Sequence, residues 1–213
     1  DEQGSILKQR PQTLQYDYVR AMLLVLLFKP TLQRCLVLGL GTGALANTLF
    51  HFDREATLDV VEIRQAVIDV AYSHFYLPDD RRLRVIKADA GDYVRQSTPR
   101  YDVIFSDLYH ASGMDLQQGT EKFLVQCHQQ LTDNGWLVLN YWQNHRRLDL
   151  TTHLKSLFKQ VLSVSIGHDN WVLLASNSDV RLDKKQMKTA VSELNGRLAF
   201  SMSRVARRLT RLV

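Results

Sequence analysis

Val37-Leu38-Gly39-Leu40-Gly41-Thr42-Gly43 is the stretch on which the reading of this chain turns. It closes an apolar run, residues 34–40, of the kind expected for a strand buried on both faces of a sheet. It then opens onto a helical pattern over residues 43–50. Glycines at such a turn let the backbone approach a ligand closely, and the helix N-terminus favours electron-rich groups. Read as G-x-G-x-x-G/A with Ala44 last, the turn also fits a dinucleotide fingerprint. Taken alone it fits equally a tight turn that only lets a helix pack on a strand.

Outward from this turn, strand and helix patterns alternate. Strands are expected at 57–63, 83–88, 101–106 and 135–141, and helices at 64–75, near Asp92, at 119–131 and, from His145, at 145–158. A helix over 13–28 precedes them, and Pro11, Pro30, Pro78 and Pro99 fall between elements. This alternation predicts parallel strands joined by right-handed crossovers, with helices on both faces. The rhythm then breaks. Only Gly167, His168, Asp169 and Asn170 separate the strand-like runs 161–166 and 171–175, too few for a crossover, so these runs form an antiparallel hairpin. The expected fold class is α/β: a three-layer Rossmann-like sheet of seven strands, mostly parallel, ending in that hairpin.

With 213 residues, 45% hydrophobic and 23% charged, the chain can bury a core and is neither disordered nor collagen-like. Its longest apolar run, 21–28, is far short of the ~20 residues of a membrane span, and no signal-peptide pattern is seen. Cys35 and Cys127 sit in apolar runs and read as small hydrophobes, so a cytoplasmic location is expected. The net charge of +5 is unevenly placed: residues 178–213 hold nine basic and three acidic side chains, while the rest is almost balanced. Within that tail Leu198, Met202, Val205, Leu209 and Leu212 recur at helical steps, with Arg204, Arg207, Arg208 and Arg211 largely off the stripe. The tail is read as a terminal helix packed on the body. Binding of nucleic acid or an acidic partner through it is the less favoured reading, a homodimer is left open, and no membrane role is expected. The division is therefore an N-terminal arm and helix (1–30), a nucleoside-binding body (31–177) and a basic helical tail (178–213).

Three carboxylates fall at the C-terminal ends of expected strands: Glu62, Asp89 and Asp107. In an open parallel sheet that edge binds ligands. An acid about 20 residues past the glycines can accept both ribose hydroxyls, which suits Glu62. Any of the three could instead cap a helix, Asp89 above all.

These pieces, together with Tyr101-Asp102-Val103-Ile104-Phe105-Ser106-Asp107 and Gly135-Trp136-Leu137-Val138-Leu139-Asn140, resemble the spermidine synthase branch of the class I S-adenosylmethionine-dependent transferases. The resemblance runs from about Tyr18 to Ala175. It implies that Gly39, Gly41, Thr42 and Gly43 face the nucleoside and its sulfonium, Glu62 and Ile63 the ribose side, and Asp89 with Ala90 the adenine. Asp107 matches the family's catalytic aspartate. The donor implied is S-adenosyl-L-methionine or its decarboxylated form, and the acceptor a small molecule, an amine. Tyr109 and His110 follow on a loop reaching Gln118 and are candidates for the acceptor side, His110 as a base. Asp115 is a substitute carboxylate there. Gly113 and Gly119 would permit a mobile lid, and Tyr141 and Trp142 would wall the acceptor. His145 and His153 have no clustered partners, so no metal site is proposed.

The departures from the family also matter. Thr42 stands where aminopropyltransferases carry an acid for the donor's ammonium, and His110 where they carry a second aspartate for the polyamine. Only residues 1–11 could be a remnant of the family's N-terminal β-domain. On these grounds methyl transfer ranks above aminopropyl transfer. A non-catalytic nucleoside-binding protein with a basic interaction tail is the alternative of another class. A nicotinamide oxidoreductase is disfavoured by the terminal hairpin.

Overall fold

The apolar runs 35–38, 103–105 and 136–139 form strands that are covered on both faces, while the longest run, 21–28, is helical. The computed structural model describes residues 16–96, 98–110, 113–142, 148–167, 169–198 and 200–213. The N-terminal arm, the start of the first expected helix (13–15), His145 and the turn residue His168 lie outside the described residues. Ten strands are present among those described: β1 (Arg34–Leu38), β2 (Thr57–Glu62), β3 (Leu83–Lys87), β4 (Tyr101–Ser106), β5 (Tyr109–His110), β6 (Gly113–Met114), β7 (Leu131–Trp142), β8 (Gln160–Ile166), β9 (Asn170–Ser176) and β10 (Thr210–Arg211). The helices are α1 (Asp17–Met22), α2 (Ala44–Phe52), α3 (Gln65–His74), α4 (Ala90–Gln96), α5 (Glu121–Gln129), α6 (Leu148–Leu157), α7 (Lys184–Arg197) and α8 (Ser203–Ala206).

The main sheet has the order β10-β8-β9-β7-β4-β1-β2-β3. Pairing is parallel from β3 through β2, β1 and β4 to β7, and antiparallel in β7–β9, β9–β8 and β8–β10. This is the expected α/β architecture with its closing hairpin. It has eight strands rather than seven, because the tail contributes β10. β1 lies between β2 and β4, so the chain passes to opposite sides of it. The C-terminal ends of these strands therefore splay into a crevice.

The tail differs from the single helix expected over its apolar stripe. α7 is closed at its start by a capping box between Asp183 and Gln186, and it ends before Leu198, whose backbone is extended (φ −96°, ψ 151°). α8 is four residues long, and Thr210 then pairs with Ser163 of β8. Two needs are met at once. Leu198, Met202 and Val205 still bury their side chains, while the otherwise open edge of β8 gains backbone partners. Arg197 holds the tail to the body by donating to the Pro30 carbonyl (2.6 Å) and lying over the Phe52 ring (3.7 Å).

The expected first helix is also broken. α1 gives way to a 3-10 turn, Leu23–Leu27, whose residues are all buried between the sheet and α7. The β5–β6 hairpin had no sequence signal. β7 begins at Leu131, earlier than the apolar pattern suggests, and its register with β4 shifts between Tyr101 and Val103. Among the described residues no helix is long and apolar enough to cross a membrane.

Asp102 ties the entry into β1 to β4. Its Oδ2 accepts from the backbone N–H of Gln33 (2.7 Å) and Arg34 (3.1 Å), and its Oδ1 lies 3.2 Å from Lys29 Nζ. The carboxylate is buried, so removing it strands two donors and an ammonium. Asp102→Ala is expected to lower stability by about 3 kcal/mol in denaturant melts.

Candidate active site

The crevice at the carboxyl ends of β1, β2, β3 and β4 is one cleft of about 1210 Å³. Its floor is the glycine turn. Gly39 has φ +91°, and a Cβ there would collide with the carbonyl oxygen of Asp107. The strand ends are laced together at this level: Gly39 N–H donates to Val61 O and Asp107 N–H to Leu38 O, both at 2.9 Å. Only glycine allows β1 to pass so close to the segment that carries Asp107. Gly41 and Thr42 also line the cleft. Gly43 does not. It precedes α2 in a left-handed conformation (φ +75°) with Leu77 against its open face, so its task is to turn the chain into the helix.

Glu62 is buried at the end of β2 with both oxygens engaged. Oε2 accepts from Leu40 N–H (3.2 Å), and Oε1 accepts from Arg64 N–H (2.9 Å) and Nε (3.2 Å). Of the about four acceptor sites on a carboxylate three are thus taken, which leaves one, on Oε2, for a ribose hydroxyl. Ile63, Val67, Val70 and Phe75 continue the wall as an apolar face suited to a flat ring. Asp89 does cap α4, accepting from Asp92 N–H through Oδ1 (3.0 Å). It also lines the cleft beside Ala90, with Oδ2 3.5 Å from Gln117 Nε2.

Asp107 sits just past β4, half-buried where it lines the cleft. Burial pushes its carboxyl up to about 6, and a hydrogen bond from Asn140 Nδ2 to Oδ1 (2.8 Å) opposes that rise. Tyr18 and Tyr109 share the cleft and feel the same charge. Tyr18 is raised first by Asp107 and then by burial, Tyr109 first by burial and then by Asp107. Trp142 lies 5.8 Å from Tyr109, centroid to centroid. His110 Nε2 is 3.0 Å from Asp115 Oδ2, and Asp115 also accepts from Gln117 N–H and Nε2. The titratable side chains lining the cleft are mostly acidic: Glu62, Asp89, Asp107, Asp115 and Asp169, against Arg64 and His110, with Tyr18 and Tyr109.

A family model of the spermine/spermidine synthase domain matches residues 18–168. The chain belongs to this family. Among curated relatives, a polyamine aminopropyltransferase of Vibrio vulnificus is 32% identical over 146 residues, covering 66% of this chain and 49% of that protein. A second, from Chromobacterium violaceum, is 27% identical over 97% of this chain and 81% of its own length. Among solved structures, a probable spermidine synthase from Corynebacterium glutamicum superposes with a TM-score of 0.75 at 21% identity, over 88% of this chain and 74% of that one. Human methyltransferase-like protein 13, in complex with SAH, superposes at 0.70 with 22% identity, over 89% and 90%. Likenesses at such identities speak for the fold. The family rests on the domain match.

Of the nucleoside-binding and catalytic residues expected from sequence, all but Gly43 line a common cleft, and Asp115 and Trp142 join them. Tyr141 does not; it is buried, with its hydroxyl close against Gly119. Gly113 and Gly119 stand where a Cβ would press on Trp142 and Tyr141 respectively, so their smallness serves close approach rather than a hinge. The segment between them carries β6 and a 3-10 turn. It is stapled by the buried Gln118, which accepts from Ser106 Oγ (2.8 Å) and donates to the Asn140 carbonyl (3.1 Å). Sequence reasoning missed Tyr18, Gln117, Gln118, Asn140 and Asn170. Asn140 could have been found by the rule that flagged the acids, since it lies near the carboxyl end of a central strand. Tyr18 and Asn170 arrive from elements distant in sequence and carry no such signal.

The Asp107 shift has a stability consequence. Its folded value of about 6 lies above the unfolded value near 3.9, so the unfolded chain ionises first as pH rises. The penalty is absent below pH ~4, grows between ~4 and ~6, and is full above ~6. Asp107→Asn is therefore expected to stabilise the fold by about 2–3 kcal/mol at pH 8 and by nothing at pH 3.5, measured by chemical denaturation at both pH values.

Proposed function

We propose that this chain transfers an aminopropyl group from decarboxylated S-adenosylmethionine to a small amine. The observation that carries the reading is the charge of the cleft. Five carboxylates face one arginine and one histidine, and those two are already engaged by Glu62 and Asp115. The intact donor brings a carboxylate that would need a cation in this cleft. The decarboxylated donor brings only positive charge, as does an amine acceptor. The curated relatives, all named for aminopropyl transfer, support the same choice and reverse the ranking that put methyl transfer first.

The sulfonium supplies an activated leaving group, so the protein's work is alignment, proton handling and charge. In this reading Glu62 accepts a ribose hydroxyl through Oε2, Asp89 with the backbone of Ala90 meets the base edge, and the glycine turn lets the sulfonium lie near Asp107. The acceptor attacks as a neutral amine. Asp107, with a carboxyl value near 6, is ionised at neutral pH yet basic enough to hold the proton that the nitrogen sheds. Asp115 takes up the cation-binding task of the acid that His110 replaces. Tyr109 and Trp142 offer aromatic faces to an alkylammonium.

Methyl transfer retains one observation in its favour: Thr42 occupies the position where the family holds an acid for the donor's ammonium. The two readings separate in a single assay. The chain is incubated with putrescine and either donor, and products are read by mass spectrometry. Spermidine and 5′-methylthioadenosine from the decarboxylated donor are expected, with at least about a hundredfold loss of kcat in Asp107→Asn. Methylated product and S-adenosylhomocysteine from the intact donor alone would reverse the assignment. Tight 5′-methylthioadenosine binding without turnover of either donor would point to the non-catalytic alternative.

A further inference from the structure

Among the described residues, Asp107 accepts a side-chain hydrogen bond from Asn140, and that side chain is itself held. Asn140, 1% exposed at the end of β7, donates through Nδ2 to Asp107 Oδ1 at 2.8 Å. Its Oδ1 accepts from Asn170 Nδ2 at 3.0 Å. The first bond settles the second. An ionised carboxylate only accepts, so it takes the NH2 of Asn140 and leaves the Asn140 oxygen to receive the NH2 of Asn170, which holds the amide in that orientation. Gln118 pins the backbone at the same point by donating to the Asn140 carbonyl.

We propose that Asn140 and Asn170 form a two-amide clamp, carried by the paired strands β7 and β9, that positions Asp107 and keeps it in its ionised, proton-accepting form. Both are positioning residues. Asn140 acts on the carboxylate directly and Asn170 acts through Asn140. The two stand on adjacent antiparallel strands, where Asn140 pairs with Val172 and Trp142 with Asn170. The closing hairpin of the fold thus reaches back to the reacting centre. The Tyr109 hydroxyl is buried nearby, approached by the Asn170 side chain without completing a hydrogen bond of good geometry. Other groups bearing on Asp107 are Tyr18 from α1 and Tyr109 from β5, and, on the remaining cleft wall, Glu62, Arg64, Asp89, His110, Asp115 and Asp169. Burial raises Asp107, and the Asn140 bond is the contact that lowers it.

The catalytic consequence rests on the proposed function, but the clamp can be tested without turnover. Asp carboxyl resonances of the full chain are followed by carbon-13 NMR against pH, with Asp107 identified by its loss in Asp107→Asn. A midpoint near 6 is expected in the native chain. Asn140→Leu, which keeps the bulk and removes the donor, is expected to move it up by about one pH unit, a tenfold change in proton affinity. Asn170→Leu is expected to move it in the same direction by less, and it carries the same test should Asn140→Leu fail to fold. A midpoint unmoved in the folded variants overturns the clamp, whatever the chain does with either donor. If the chain turns over, the acidic limb of kcat/KM is expected to shift with the midpoint while KM for the donor stays put. A loss of activity with no shift of that limb would reduce the amides to a structural role. Clamp shifts in a chain that turns over neither donor would leave the clamp standing and sink the proposed function.

Discussion

A carboxylate drawn partly out of water where β1 and β4 meet governs the rest of this molecule's design. Asp107 is ionisable, half-buried and held by the Asn140 amide, so the fold must supply the energy that keeps it there. That energy comes from the two apolar layers on either side of the sheet, which lock the strand ends at a spacing only Gly39 tolerates. Asp107 therefore sits directly at the end of a fully buried central strand. Precise placement is what a displacement reaction requires of its protein.

The same arrangement links the two halves of the cleft. At the ends of β2 and β3, Glu62 and Asp89 receive backbone and side-chain donors from the protein itself, which set their orientations. Across the cleft Asp115 is held by His110 and Gln117, and Gln117 also reaches toward Asp89. This chain lacks the acids its family carries at positions 42 and 110, and it regains negative charge from Asp115 and Asp169 on the cleft wall.

The tail shows how a basic segment can be structural. The sequence favoured a tail packed on the body over an interaction surface, and its apolar stripe is indeed spent on the core. Arg197 binds a carbonyl of the body, Arg204 lies beside Asp17, and Thr210 and Arg211 extend the sheet. Arg207 and Arg208 remain exposed.

The sequence by itself determined the alternation of elements, the glycine turn, the closing hairpin and the three acids at strand ends. Each is written in local pattern: unbroken apolar runs make buried strands, and a parallel sheet gathers its strand ends on one edge. What needed the tertiary structure was everything set by contacts between distant segments. The break of the first helix into a 3-10 turn follows from its burial under α7. The eighth strand follows from an open edge on β8, and the surroundings of Asp107 follow from Tyr18, Asn140 and Asn170 converging from α1, β7 and β9. No periodicity encodes such a meeting, because it depends on how layers pack and not on how any one segment folds.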